Sequence, residues 1–338
     1  MAFRVRALQK GELDALLLCF QDAFEVDDPS ISIVRNSLIN DPYFHPERVR
    51  VGLLDGRIVS HVVILHRAVF VGNQVVSVAG ITAVATHPAC QRQGFGSRVV
   101  QDALRLIKQQ GYDIAMLTTR LPRFFARFGF REVPKVAGFE CPAKALARLD
   151  VATRYSCTEL NFARDWRALL AIYRQYSQGL TGLQVRDARF WETWPRRGTF
   201  PHGFSPRLGA IGLLAETMGN RVAYLAASIS PEQNHLAVTD LAHLHGHEAA
   251  AVSLLQEAAK RYLAVGSGRA VLHLGGNAPV ISRLQAAGVP LEVEVGPGLM
   301  VLIPDHEWIA PAGFRNPDDA IEHLFRSDPP ILWHRDGY

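Results

Sequence analysis

Apolar and polar positions along the chain switch repeatedly between a spacing of two and a spacing near 3.6. Phe3–Leu8 alternates and reads as a strand, and Gly11–Phe24 carries Leu13, Leu16, Leu17 and Phe20 at helical spacing. Residues 25–29 form a loop, and Asp28-Pro29-Ser30 is a start signal for a second helix over Ile31–Ile39. Arg48–Leu54 and Arg57–Leu65 read as a hairpin around Asp55-Gly56; Ala68–Val71 and Val75–Thr86 read as another around Gly72-Asn73. A helix follows from Ser97 to the stop at Gly111, then a strand over Asp113–Thr118 and a short helix in Leu121–Phe130, with Pro122 in its first turn.

Residues 134–150 read as a crossover, after which the same succession returns. Asp165–Tyr176 is helical, and Gly182–Arg207 reads as an irregular segment rich in Trp and Arg. Strands over Ala210–Glu216, Arg221–Ile229 and Leu236–Leu244 precede a helix over Glu248–Ala264. Ala270–Leu274, Pro279–Ala287 and Leu291–Val295 complete a strand, a short helix and a strand. Order and spacing, more than identities, mark two copies of one unit. The fold class is α/β with mixed sheets. The expected boundaries are a first domain at 1–138, a linker at 139–154, a second domain at 155–310 and a tail at 311–338.

Composition narrows this picture. With 338 residues, 48% hydrophobic and 20% charged, the chain can bury a core for two domains. The net charge of +4 is spread thinly, which speaks against a nucleic-acid partner. No apolar run is long enough for a membrane span and the start lacks an apolar leader, so a cytoplasmic protein is expected. The four cysteines (Cys19, Cys90, Cys141, Cys157) show no C-x-x-C spacing.

The chemistry concentrates in Val78–Gly96, V-A-G-I-T-A-V-A-T-H-P-A-C-Q-R-Q-G-F-G. A strand, a loop with Gly94 and Gly96, and a helix form an anion site. The first helical N–H groups lack intrahelical partners, the helix dipole adds positive charge, and glycine lets a phosphate approach. Arg92 adds a formal charge. In the second copy the corresponding stretch is His243-Leu244-His245-Gly246-His247-Glu248, where a carboxylate falls in the first helical turn and opposes a phosphate. The second copy therefore reads as degenerate.

His-Pro-x-x-Gln-Arg-Gln-Gly-Phe-Gly, with Arg127-Phe128-Gly129-Phe130 downstream, resembles the GNAT acyl-CoA N-acyltransferases and their Q/R-x-x-G-x-G/A signature. The tandem arrangement, with A-G-I-T-A-V-A-T-H-P, is similar to the enhanced-intracellular-survival type. Ala310–Tyr338 is too short for the third, sterol-carrier-like domain those relatives usually carry. The resemblance implies that Val84, Ala85 and Thr86 bind the pantetheine arm of acetyl-CoA, with the Val84 N–H on the thioester oxygen. It implies that Gln91, Arg92, Gln93, Gly94, Phe95, Gly96 and Ser97 wrap the pyrophosphate. The expected reaction is direct transfer of an acetyl group to a primary amine of a small molecule or lysine, with no metal; the alternative is an acyl-CoA sensor with weak turnover.

The proton-transfer groups are less defined. The tyrosine that many GNATs use to protonate the leaving thiolate is replaced by Phe125, so water, Thr118 or Thr119 supplies the proton, or the thiolate leaves without one, or catalysis is reduced. Glu25, Asp27 and Asp28 are candidate bases beside the reading that they cap a helix, and Tyr338 could supply a terminal carboxylate. His243, His245 and His247 lack a fourth ligand for zinc, and Cys90 lacks a base that would make it a nucleophile. Trp191, Trp194, Arg196 and Arg197 read as a packed loop more than as an acceptor cavity. A homo-oligomer is left open.

Overall fold

The computed structural model describes residues 2–133, 136–151, 154–197, 209–230, 234–274, 277–295, 298–304 and 307–325. The first half runs β1 (Phe3–Ala7), α1 (Leu13–Phe24), α2 (Asp28–Ile39), β2 (Val49–Leu54), β3 (Arg57–Val71), β4 (Gln74–Thr86) and α3 (Phe95–Gln109). It continues with β5 (Ile114–Thr118), α4 (Pro122–Ala126), β6 (Arg131–Val133), β7 (Val136–Pro142) and α5 (Ala143–Ala147). The second half runs β8 (Ser156–Glu159), α6 (Phe162–Tyr176), α7 (Ala188–Arg197), β9 (Gly209–Thr217), β10 (Asn220–Ser230), β11 (His235–His243) and α8 (Glu248–Leu263). It ends with β12 (Arg269–Leu272), α9 (Ala278–Ala286), β13 (Glu292–Val295), β14 (Leu299–Leu302) and α10 (Pro317–Phe325).

Among the described residues the strands form two mixed sheets, ordered β1-β2-β3-β4-β5-β14-β6 and β8-β9-β10-β11-β12-β7-β13. The two correspond strand for strand, which is the repeat read from the sequence. In each, one parallel pair (β4 with β5, β11 with β12) sits inside antiparallel neighbours.

The seventh strand is exchanged. β7 pairs antiparallel with β12 and β13 in the second sheet, and β14 with β5 and β6 in the first. The helices that follow go with them. Ala143 and Leu146 of α5 are buried in the core of the second sheet, and Ala320, Ile321, Leu324 and Phe325 of α10 in that of the first. The expected linker at 139–154 and tail at 311–338 are thus corrected in part: 139–147 and 317–325 are folded elements. A strand's alternation says which face is buried and not which sheet receives it.

The first sheet is covered on both faces. Val62, Ile64, Ala79, Ile81, Ala115 and Leu117 meet Val99, Val100, Ala103 and Ile107 of α3. Each large side chain so buried contributes roughly 1.5–3 kcal/mol. On the other face Val51, Val63 and Leu65 meet Leu16, Leu17 and Leu38 of α1 and α2.

Two expected breaks are absent. β3 runs unbroken through His66-Arg67, because buried Arg67 pairs with buried Asp41 at 2.5 Å, so a charged residue lies inside a strand. Within the expected irregular segment 182–207, residues 188–197 form α7, whose Phe190 and Trp191 are fully buried.

β2 starts opposite Val63, which leaves the rest of β3 beyond it with a bare edge. Residues 182–185 cover it: the Phe70 N–H donates to the Leu183 carbonyl at 2.9 Å and the Val185 N–H to that of Ala68 at 2.7 Å. Tyr43 donates to Asp187 at 2.9 Å across the same seam. No described helix is long and apolar enough to cross a membrane.

Candidate functional site

β4 leaves its neighbours where the sequence placed the chemistry. His61 pairs with Ala85 and Val63 with Thr82, so Ala83 and Val84 together oppose Val62. This is a β-bulge, and Ala83 takes φ +47°, a left-handed conformation that costs a non-glycine residue energy. On the other side, the described ladder to β5 ends at Gly80↔Met116. The β5-facing main chain of 81–86 is therefore open to a ligand that brings its own amides.

The loop beyond β4 is built as an anion cradle. Arg92 (φ +61°) and Gly94 (φ +81°) are both left-handed, and Gly94 caps α3 without a side-chain hydrogen bond. The N–H groups of the first turn, Phe95 to Ser97, thus point outward at the positive end of a 15-residue helix. A Cβ on Gly96 would lie 2.9 Å from Thr86 Oγ1, so any side chain there closes the approach between loop and strand. Thr86 is fixed from behind by Ser60, whose hydroxyl lies 2.9 Å from Oγ1 and donates to the Ala85 carbonyl at 2.8 Å. Gln91 donates to the Thr86 carbonyl at 3.1 Å and Gln93 to that of Ala89 at 3.4 Å. Phe95 stacks on Phe3 at 4.3 Å, tying the helix start to β1. Thr86 at the end of β4 thus lies against Gly96 in the first turn of α3, Gln91 is bonded to the same threonine, and Arg92 on the loop between them is exposed.

The proton-transfer candidates do not converge in the same way. Asp27 caps α2 by accepting the Ser30 N–H at 2.9 Å, and Asp28 accepts from Gln21 at 2.8 Å. Glu25 is the exposed, left-handed C-cap of α1. Phe125 is 5% exposed, set edge-on to Phe124 and Phe130. Tyr338 lies outside the described residues, as do the side chains of Trp194, Arg196 and Arg197.

His61 carries no motif that marks it in the sequence. It is fully buried on β3, paired across to Ala85 beside the bulge and stacked 6.3 Å from Phe20 of α1. Burial pushes its imidazole down to about 4, although the Ala83 carbonyl lies toward the ring without a hydrogen bond of normal geometry. A lone histidine in an otherwise apolar run was the available signal.

The second unit repeats the architecture with the cleft filled. Its bulge leaves Thr239 extra between Val238 and Asp240, and the described β11–β12 ladder ends at Val238↔Leu272. Asp240 there accepts from Arg186 at 2.6 Å and Tyr224 at 3.1 Å, all three buried. His243 reaches Asn277 at 2.9 Å across the opening. Gly246 (φ +78°) matches Gly94, but its N–H donates to the Glu248 carboxylate at 3.1 Å. Burial raises the Glu248 carboxyl; the N–H groups of Gly246 and Glu248, with His243 and Arg283 nearby, outweigh it and hold it below the usual range. His247 turns to Tyr155 at 3.3 Å, and no described group of three His, Cys, Asp or Glu side chains could hold a metal ion.

Residues 4–133 match the acetyltransferase (GNAT) domain family. No curated protein sequence matches the chain. The fold is similar to a GCN5-related N-acetyltransferase from Anabaena variabilis, at 16% identity and TM-score 0.70 over 90% of this chain and 73% of that one. It is similar to Eis1 from Mycobacterium abscessus, at 16% identity and TM-score 0.65 over 92% and 76% of the two chains. A tandem GNAT protein from the clavulanic acid biosynthesis pathway aligns at 14% identity and TM-score 0.55, over 90% of this chain and 99% of that one.

Proposed function

We propose that this chain is an acyltransferase that moves an acetyl group from acetyl-CoA to a primary amine; residues 4–133 match the acetyltransferase (GNAT) domain family and the fold is similar to that of a tandem GNAT protein. The amine belongs to a small molecule or a lysine side chain. The observation that carries the reading is the bulge at Ala83-Val84 beside the left-handed loop Gln91–Gly96, which combines an open strand edge with an anion cradle.

In this reading the main chain of Val84, Ala85 and Thr86 holds the pantetheine arm, and the amides of Gln91–Ser97 with Arg92 hold the pyrophosphate. The Val84 N–H donates to the thioester oxygen as charge develops there, and the rest of the rate enhancement comes from holding two reactants in line. Acetyl-CoA supplies the activated acyl group. Glu25 or Asp27, through water, takes the proton that the incoming ammonium must lose. The second unit, with Glu248 over its own loop, acts as a degenerate copy.

Phe125 favours a second reading, an acyl-CoA sensor, because it puts a buried ring without a hydroxyl where an acid is expected. Thiol release from acetyl-CoA across a panel of amines separates the two. The enzyme releases thiol with at least one amine and loses both release and binding on Arg92→Glu. Tight binding with no release for any amine leaves the sensor.

A further inference from the structure

At the end of the first sheet opposite the loop, where α3 turns into β5 and β2 begins, three polar side chains keep hydrogen-bonding capacity that the fold does not use. Tyr112 is 3% exposed and its hydroxyl has no partner among the described residues. The His66 ring lies 5.6 Å from it and 6.4 Å from Tyr43. Arg48 donates to the Tyr43 carbonyl at 3.3 Å, and its charge acts on both His66 and Tyr112. The acidic groups around them are committed elsewhere. Asp41 pairs with Arg67, Asp113 accepts from Ser77 at 2.6 and 2.8 Å, and Asp187 serves Tyr43 and Arg189. Glu47 is exposed beside His45.

Among the described residues, the charges that act on His66 and Tyr112 are the guanidiniums of Arg48 and Arg67, and Arg67 is paired with Asp41. Burial and both guanidiniums oppose a proton on His66. A buried hydroxyl left unpaired opposes folding, so a partner is favoured there. Tyrosine, arginine and protonated histidine all offer donors, and a partly buried excess of positive charge draws an anion. We infer that Arg48, His66 and Tyr112 form a binding site for a small oxyanion of phosphate or carboxylate size, separate from the cleft at the far end of the sheet.

The test titrates inorganic phosphate into the full chain carrying Arg92→Glu, which removes the loop as a competing site. Sodium chloride at matched ionic strength is the control, and acetate identifies a carboxylate preference. The melting temperature should rise saturably with phosphate or acetate and not with chloride. The His66 ring, followed by NMR, should titrate at higher pH with the anion bound, so binding tightens as pH falls through that titration. Tyr112→Phe, which keeps the ring, should weaken affinity about tenfold to a hundredfold, the loss of one hydrogen bond to a charged group. Arg48→Gln should abolish the shift. An equal response to chloride, an unmoved His66 titration, or full affinity in Tyr112→Phe overturns the proposal and leaves a hydroxyl satisfied by water alone.

Discussion

At the scale of single residues, the first unit carries its cost beside the cleft. His61 is held neutral, and the sign of its effect follows: burial has lowered its pKa to about 4, below the ordinary 6.5, so the unfolded chain takes up the proton first. Stability is complete above pH 6.5 and falls as pH drops from there toward 4. At pH 5 this one group should remove about 2 kcal/mol. Urea unfolding at pH 7 and pH 5 checks it. His61→Leu should lose about 2 kcal/mol less than the parent between the two, and an equal loss in both would sink the assignment. His61 was hard to read because the run Ile58–Leu65 marks burial without saying what a lone imidazole meets. Arg67 was misread as a strand break because its partner, Asp41, lies 26 residues away in sequence.

At the scale of elements, the loop and α3 were legible because their signals are local. Two glycines, a helical apolar stripe and a preceding β-branched run sit within about 30 residues. The bulge was not, since nothing in A-G-I-T-A-V-A-T marks Ala83 for φ +47°. α7 was missed because W-E-T-W-P-R-R mixes aromatics, charges and Pro195, while the burial of Phe190 and Trp191 that holds the helix comes from distant α6 and β10. The loop makes a direct claim about Gly94. Its φ of +81° with no atom within 4 Å of an added Cβ means that Gly94→Ala adds backbone strain and no clash. The expected cost is about 1 kcal/mol, a drop of a few degrees in melting temperature. Acetyl-CoA affinity should fall several-fold as the cradle relaxes. Unchanged affinity in calorimetry would show that the left-handed turn is not part of the binding loop.

At the scale of the whole molecule, the sequence disclosed the repeat and hid the exchange. Two successions of strand, helix and strand can be counted along a chain, but β7 and β14 carry no mark of the sheet that accepts them. The exchange makes the halves mutually dependent: without β14 the first sheet loses the strand between β5 and β6, and without α10 it exposes Ile114, Met116 and Val301. Scanning calorimetry should therefore show one cooperative transition for the full chain. Two well-separated transitions would mean that each half holds its own core.

The two units share a fold, and in the proposed function the first holds acetyl-CoA because Gly96 leaves open what Glu248 fills. Isothermal titration of acetyl-CoA decides it. The expected result is one molecule bound per chain, lost in Gly96→Glu and kept at full affinity in Glu248→Gly, with both variants melting as folded proteins. Two molecules per chain, or binding that survives Gly96→Glu and disappears in Glu248→Gly, would contradict it.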